Sequence, residues 1–167
     1  MRQVRSTLAV VAVLAASLMV PATVAAVQPS VDWDQVLKGN SGNNTIRGDS
    51  GRDKILGLAG NDTLNGLAGR DRLQGGPGND TLGGGNGRDK LFGGQDRDRL
   101  NGGAGNDLLV GAGGRDRLFG GPGNDTLRSD GDNRRDFVDC GVGTNDRAFV
   151  DARDVVTRCE TVTVTGQ

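Results

Sequence analysis

Aspartate recurs every nine residues through the middle of this chain: Asp53, Asp62, Asp71, Asp80, Asp89, Asp98, Asp107, Asp116 and Asp125, with Asn44 in the same place one period earlier. Five positions before each of these ten residues stands a glycine, from Gly39 to Gly120 without exception. Two positions before, glycine recurs except at Asp96. Carboxylates so arrayed and so framed are hard oxygen donors, suited to a cation that prefers oxygen. The chain has no His and no Tyr, which removes the usual general base, any His-based triad and the commonest ligand of zinc or copper. No enzyme is expected.

The residue two positions after each aspartate identifies the element that must hold it. These are Ile46, Ile55, Leu64, Leu73, Leu82, Leu91, Leu100, Leu109, Leu118 and Leu127, again nine apart. A period of nine fits neither a 3.6-residue helix nor a coiled coil, and the glycines would break both. Fixed glycines mark positive φ or close backbone approach. The residues around each aliphatic can then form a short strand with that side chain turned inward. Each repeat reads as six residues of turn and three of strand.

Segments such as "GGPGNDTLR" (120–128) and "GGAGNDLLV" (102–110) match GGxGxDxUx, with U a large aliphatic residue. In this the chain resembles the RTX, or haemolysin-type, calcium-binding nonapeptide repeat. The resemblance implies an all-β fold: a right-handed parallel β-roll, or solenoid, of about five 18-residue coils over residues 38–128. It also implies Ca²⁺ between turns stacked on the same side. On such coils Asp53, Asp71, Asp89, Asp107 and Asp125 stack on one side, and Asn44, Asp62, Asp80, Asp98 and Asp116 on the other. The implied ligands are these carboxylates, with Asn44 the weakest member. Backbone carbonyls of turn glycines such as Gly76, Gly78, Gly85, Gly87, Gly94, Gly103, Gly105, Gly121 and Gly123 complete the set. Four gaps on each side give a ceiling of about eight ions. Leu58, Leu67 and Ala112 stand where the motif has its second glycine, and Asp96 replaces another.

One buried aliphatic per nine residues is a thin core for ordering so glycine-rich a backbone. Stacked carboxylates would also repel one another without a cation. The roll is therefore expected to need calcium in order to fold.

The ends differ from the comb. Residues 1–26 resemble a secretory signal peptide: Arg2 and Arg5 precede the apolar run Leu8–Val20, and Ala26 is the expected last residue removed. The mature chain is then extracellular, with a balance of about −3 and no membrane span. Residues 27–37 form a linker or cap, with Trp33, Val36 and Leu37 over the first coil. Residues 129–167 lose the register but still pair aspartates with apolar residues, and read as a distorted continuation ending in an irregular C-terminal cap, in which Cys140 and Cys159, both exported, are expected to form a disulfide. Asp136, Asp139, Asp146, Asp151 and Asp154 read as solvated surface charge or as a further ion site.

The repeats are of two kinds, Asn-Asp-Thr and Arg-Asp-Arg/Lys. The first six alternate strictly, and then Arg97, Arg99, Arg115 and Arg117 slip to the side that began with Asn and Thr. Such a cationic stripe either offsets nearby aspartates or meets an anionic surface such as a wall or matrix polysaccharide. The lack of interleaved aromatics argues against nucleic acid. Leu56, Phe92, Val110 and Phe119 should face outward. The function expected is a secreted, non-catalytic calcium-binding module, structural, adhesive or ion-responsive. The alternatives are a calcium-dependent polysaccharide- or cell-surface-binding module, and a remnant of an RTX toxin or hydrolase without its catalytic domain.

Overall fold

The computed structural model describes residues 22–24 and 35–165. Trp33 and most of the expected signal peptide lie outside them. Among the described residues every regular element is a strand, and the strands form two parallel eight-stranded sheets. One holds, in spatial order, β1 (Ala22–Val24), β3 (Asn44–Arg47), β5 (Thr63–Gly69), β7 (Thr81–Gly87), β9 (Arg99–Ala104), β11 (Arg117–Pro122), β13 (Phe137–Val142) and β15 (Val155–Thr157). The other runs from β2 (Gln35–Lys38) through β4 (Asp53–Leu56), β6 (Arg72–Pro77), β8 (Lys90–Gln95), β10 (Leu108–Ala112), β12 (Thr126–Arg128) and β14 (Arg147–Val150) to β16 (Thr161–Val164). Successive strands thus alternate between sheets. Each pairs with the strand one coil later, as the 18-residue coil implied by the resemblance requires: Leu64 lies beside Leu82, and Leu82 beside Leu100.

The core follows from strand alternation. Ile46, Ile55 and the eight leucines from Leu64 to Leu127 are essentially buried, in two columns facing each other. Their neighbours along each strand point outward. Leu56, Phe92, Val110 and Phe119 are half-buried on the outer surface. Arg72 covers the ring of Phe92 at 4.5 Å and Arg99 that of Phe119 at 4.6 Å, so the two rings do not form an open apolar patch.

The solenoid has about seven turns rather than five. The extra turns come from segments outside the nonapeptide register. Leu37 takes an inward position on β2 and packs on the core, whereas Val36 points out and is 58% exposed. At the other end Val138, Ala148 and Val150 continue the buried columns, and Cys140 is joined to Cys159 by a disulfide. Strands also run longer than three residues because turn backbones pair as well. Gly69 lies beside Gly87, and Gly76 beside Gly94.

Candidate metal centre

The aspartates sit at the start of each strand, and each lies directly over the one a coil away. The backbone N–H of Asp71 donates to Oδ1 of Asp89 at 2.8 Å, and that of Asp89 donates to Oδ1 of Asp107 at 2.7 Å. On this side the chain of bonds runs Asp53, Asp71, Asp89, Asp107, Asp125, Asp146. On the other it runs Asn44, Asp62, Asp80, Asp98, Asp116, Asp136, Asp154. The two stacks implied by the family resemblance are therefore both present, and each continues past the comb. Glu160, whose Oε2 accepts the Asp146 N–H, ends the first column.

Asp136 and Asp146 are buried members of these columns and not solvated surface charges; Asp139 and Asp151 are buried as well. Asp136 lies 20 residues after Asp116, and Asp146 lies 21 after Asp125, instead of 18. Short insertions hid the register. The repeated pairing of an aspartate with an apolar residue, which marks the segment as a distorted continuation in the sequence, is in register at Asp136 with Val138 and at Asp146 with Ala148. Asp139 is paired with Arg158, and Asp151 accepts the N–H groups of Gly131 and Asn133.

Each column carboxylate spends one oxygen on the backbone bond or, at Asp53, on the N–H of Asp49. The other oxygen is buried and has no hydrogen-bond partner in Asp53, Asp62, Asp71, Asp80, Asp89, Asp98, Asp107, Asp116, Asp125, Asp136 and Asp146. A buried, unpaired carboxylate oxygen is costly, so it calls for a cation or a proton. Burial accordingly pushes these carboxyls up: Asp98 to about 8, Asp107 and Asp136 to about 7, and Asp71, Asp80, Asp116 and Asp125 to about 6. Backbone N–H bonds oppose the shift, and neighbouring carboxylates such as Asp116 and Asp80 beside Asp98 add to it. Asp53, Asp62, Asp89 and Asp146 are raised by the same burial.

The glycines make room for these oxygens. A Cβ built on Gly102 would lie 2.5 Å from Oδ2 of Asp107 and 2.7 Å from the Gly120 carbonyl oxygen. The exceptionless glycine column thus exists for space: its φ angles are ordinary, and the aspartate of its own repeat fills the site. The next column differs. Gly85 has φ +114°, and a side chain there would strike the carbonyl of Leu67 in the coil below. Leu58, Leu67 and Ala112 occupy this column and are held at φ of 86°, 85° and 75°. Carbonyls of Gly76, Gly85, Gly87, Gly103 and Gly105 point toward the glycine of the next coil, between the stacked turns.

Among the described residues no three His, Cys, Asp or Glu side chains gather into a metal cluster. Carbonyl oxygens must therefore complete any site. The donor set is hard oxygen throughout, anionic and partly backbone, which fits Ca²⁺ and does not fit zinc or copper. Asn44 adds no charge, and its Oδ1 is taken by the Asn40 N–H.

A family model of the RTX calcium-binding nonapeptide repeat (4 copies) matches residues 34–64, 56–91 and 92–127. A search of curated proteins finds no match.

Proposed function

The chain belongs to the RTX calcium-binding nonapeptide repeat family, and from that footing we propose that it is an exported, non-catalytic module whose roll orders when calcium fills the gaps between its turns. The observation that carries this reading is the row of buried carboxylate oxygens without partners. Asp53, Asp71, Asp89, Asp107, Asp125 and Asp146 would hold ions along one side, and Asp62, Asp80, Asp98, Asp116 and Asp136 along the other, with turn carbonyls completing each shell. Bound calcium supplies the positive charge that offsets these carboxylates and the oxygen coordination they lack. Five gaps on one side and four on the other allow up to about nine ions. Gly-rich turns and a core of two thin aliphatic columns leave the empty chain little to fold around.

Export is supported by the leader-like first 26 residues and by the Cys140–Cys159 disulfide, which suits an oxidising compartment. Among the described residues no helix is long and apolar enough to cross a membrane. Cleavage after Ala26 would remove β1 and leave β3 as the edge of its sheet.

Far-ultraviolet circular dichroism of the processed protein at about pH 8, above most of the raised carboxyls, in chelator and then in millimolar calcium, tests the proposal. A coil spectrum in chelator that turns to β with calcium is expected. An unchanged β spectrum in chelator would refute it.

A further inference from the structure

Where the two kinds of repeat slip out of alternation, the outer surface changes character. Thr45, Thr63 and Thr81 lead the strands of the first coils on one sheet, and Arg99 and Arg117 succeed them in the same register. Two residues before these lie Arg97 and Arg115, and Arg135 holds the equivalent place two residues before Phe137. Arg97, Arg115, Arg117 and Arg135 border a cavity of about 380 Å³ whose other walls are Asp116, Asp136, Phe137 and Val155.

All four arginines are exposed. None has a side-chain hydrogen bond, ion pair or ring contact among the described residues, in contrast to Arg128, Arg158 and Arg99. The simplest account of the stripe, that it neutralises nearby aspartates by direct pairing, therefore does not apply here. The only carboxylates in the wall, Asp116 and Asp136, are buried column members whose bonded oxygens face backbone N–H groups. Asp132 and Asp154 stand close enough to Asp116 and Asp136 to raise them, so the four guanidinium groups face four carboxylates, and calcium on the column carboxylates turns the balance positive.

We infer that this cavity is a binding site for an acidic polysaccharide, engaged by Arg97, Arg115, Arg117 and Arg135. Guanidinium groups bind carboxylate and sulfate in forked pairs. The backbone positions of Arg97, Arg115 and Arg135 lie two residues before paired strand residues and so recur once per coil, near the strand spacing of about 4.8 Å, comparable with the advance of one sugar along an extended glycan. Phe137 offers part of its ring as an apolar wall for a sugar face; its other side meets Phe119, ring centroids 5.8 Å apart. A single ring so engaged gives no series of stacking platforms for successive bases, which sets single-stranded nucleic acid aside. The inference rests on the calcium reading, because the filled columns hold the arginine-bearing turns in register and remove opposing charge.

Retention of the processed protein on immobilised heparin tests it, in millimolar calcium and in chelator, against the triple variant Arg97→Gln/Arg115→Gln/Arg135→Gln. Circular dichroism is read on the same samples. The wild type should be retained in calcium, be released by salt, and lose retention in chelator. The variant should keep the calcium-induced spectrum and bind about tenfold more weakly or worse, as three exposed charge contacts imply. A folded variant retained as well as the wild type, or a folded wild type that passes through the column, overturns the inference and leaves the calcium reading intact. Absence of any calcium-induced spectrum sinks the calcium reading separately. Tighter binding to a single-stranded oligonucleotide than to heparin would also overturn the choice of ligand.

Discussion

Two glycine-to-alanine changes should move stability in opposite directions. At Gly102 the new methyl would lie 2.5 Å from Asp107 Oδ2, 3.0 Å from its Cβ and 2.7 Å from the Gly120 carbonyl oxygen. Neither neighbour yields easily. The carboxylate is fixed through Oδ1 by the Asp89 N–H, and the carbonyl belongs to the next coil's backbone. Forcing a methyl into a filled site costs about 1–3 kcal/mol. Gly83, on β7, is the control: a Cβ there meets nothing within 4 Å, and its φ is not left-handed. Alanine at that site restricts the unfolded chain and should stabilise by about 0.4–1 kcal/mol. At roughly 3 °C per kcal/mol for a domain of this size, thermal unfolding in saturating calcium should fall by about 3–9 °C for Gly102→Ala and rise by about 1–3 °C for Gly83→Ala. Equal midpoints for the two variants, or a lower one for Gly83→Ala, would refute the claim that the glycine column exists to seat the aspartates.

Two further outcomes follow from the same geometry. Carboxyls raised on folding hold their protons more tightly in the roll than in the open chain. In chelator the roll is therefore favoured near pH 4 and loses that contribution as pH climbs through the 6 to 8 range of Asp71, Asp98 and Asp107. β signal in chelator should thus decline from pH 4.5 to pH 8, while calcium affinity should weaken as pH drops through the same window; circular dichroism and calcium titration at several pH values check both. Ala112→Gly relieves a left-handed residue, φ 75°, inside the carbonyl column, and should raise stability by about 1 kcal/mol, seen as a higher unfolding midpoint in calcium.

The comb made much of this legible in advance. The inward aliphatic positions from Ile46 to Leu127 followed from spacing, and both aspartate stacks followed once the family resemblance supplied a coil of two repeats, because a parallel coil of constant length places residue i beside i+18. What spacing could not show was the fate of each carboxylate's two oxygens, one bound to backbone and one orphaned. It could not assign the two glycine columns to different causes either, since a glycine needed for room and one needed for φ look alike in sequence. The last coils read only as a distorted continuation, because insertions before Asp136 and Asp146 break the register, and Leu37 only as part of a cap, because no aspartate stands at Gln35. The arginine cavity was visible only as a stripe; its lack of pairing partners is a fact of three dimensions.

The central claim is that orphaned oxygens between the turns are filled by calcium. Equilibrium dialysis of the processed protein against millimolar calcium at pH 7.5 tests it most directly. Several ions retained per chain, and fewer once Asp89, Asp107 and Asp125 are changed to Asn, is the result predicted. A chain that retains none, or a variant that retains as many as the wild type, would contradict it.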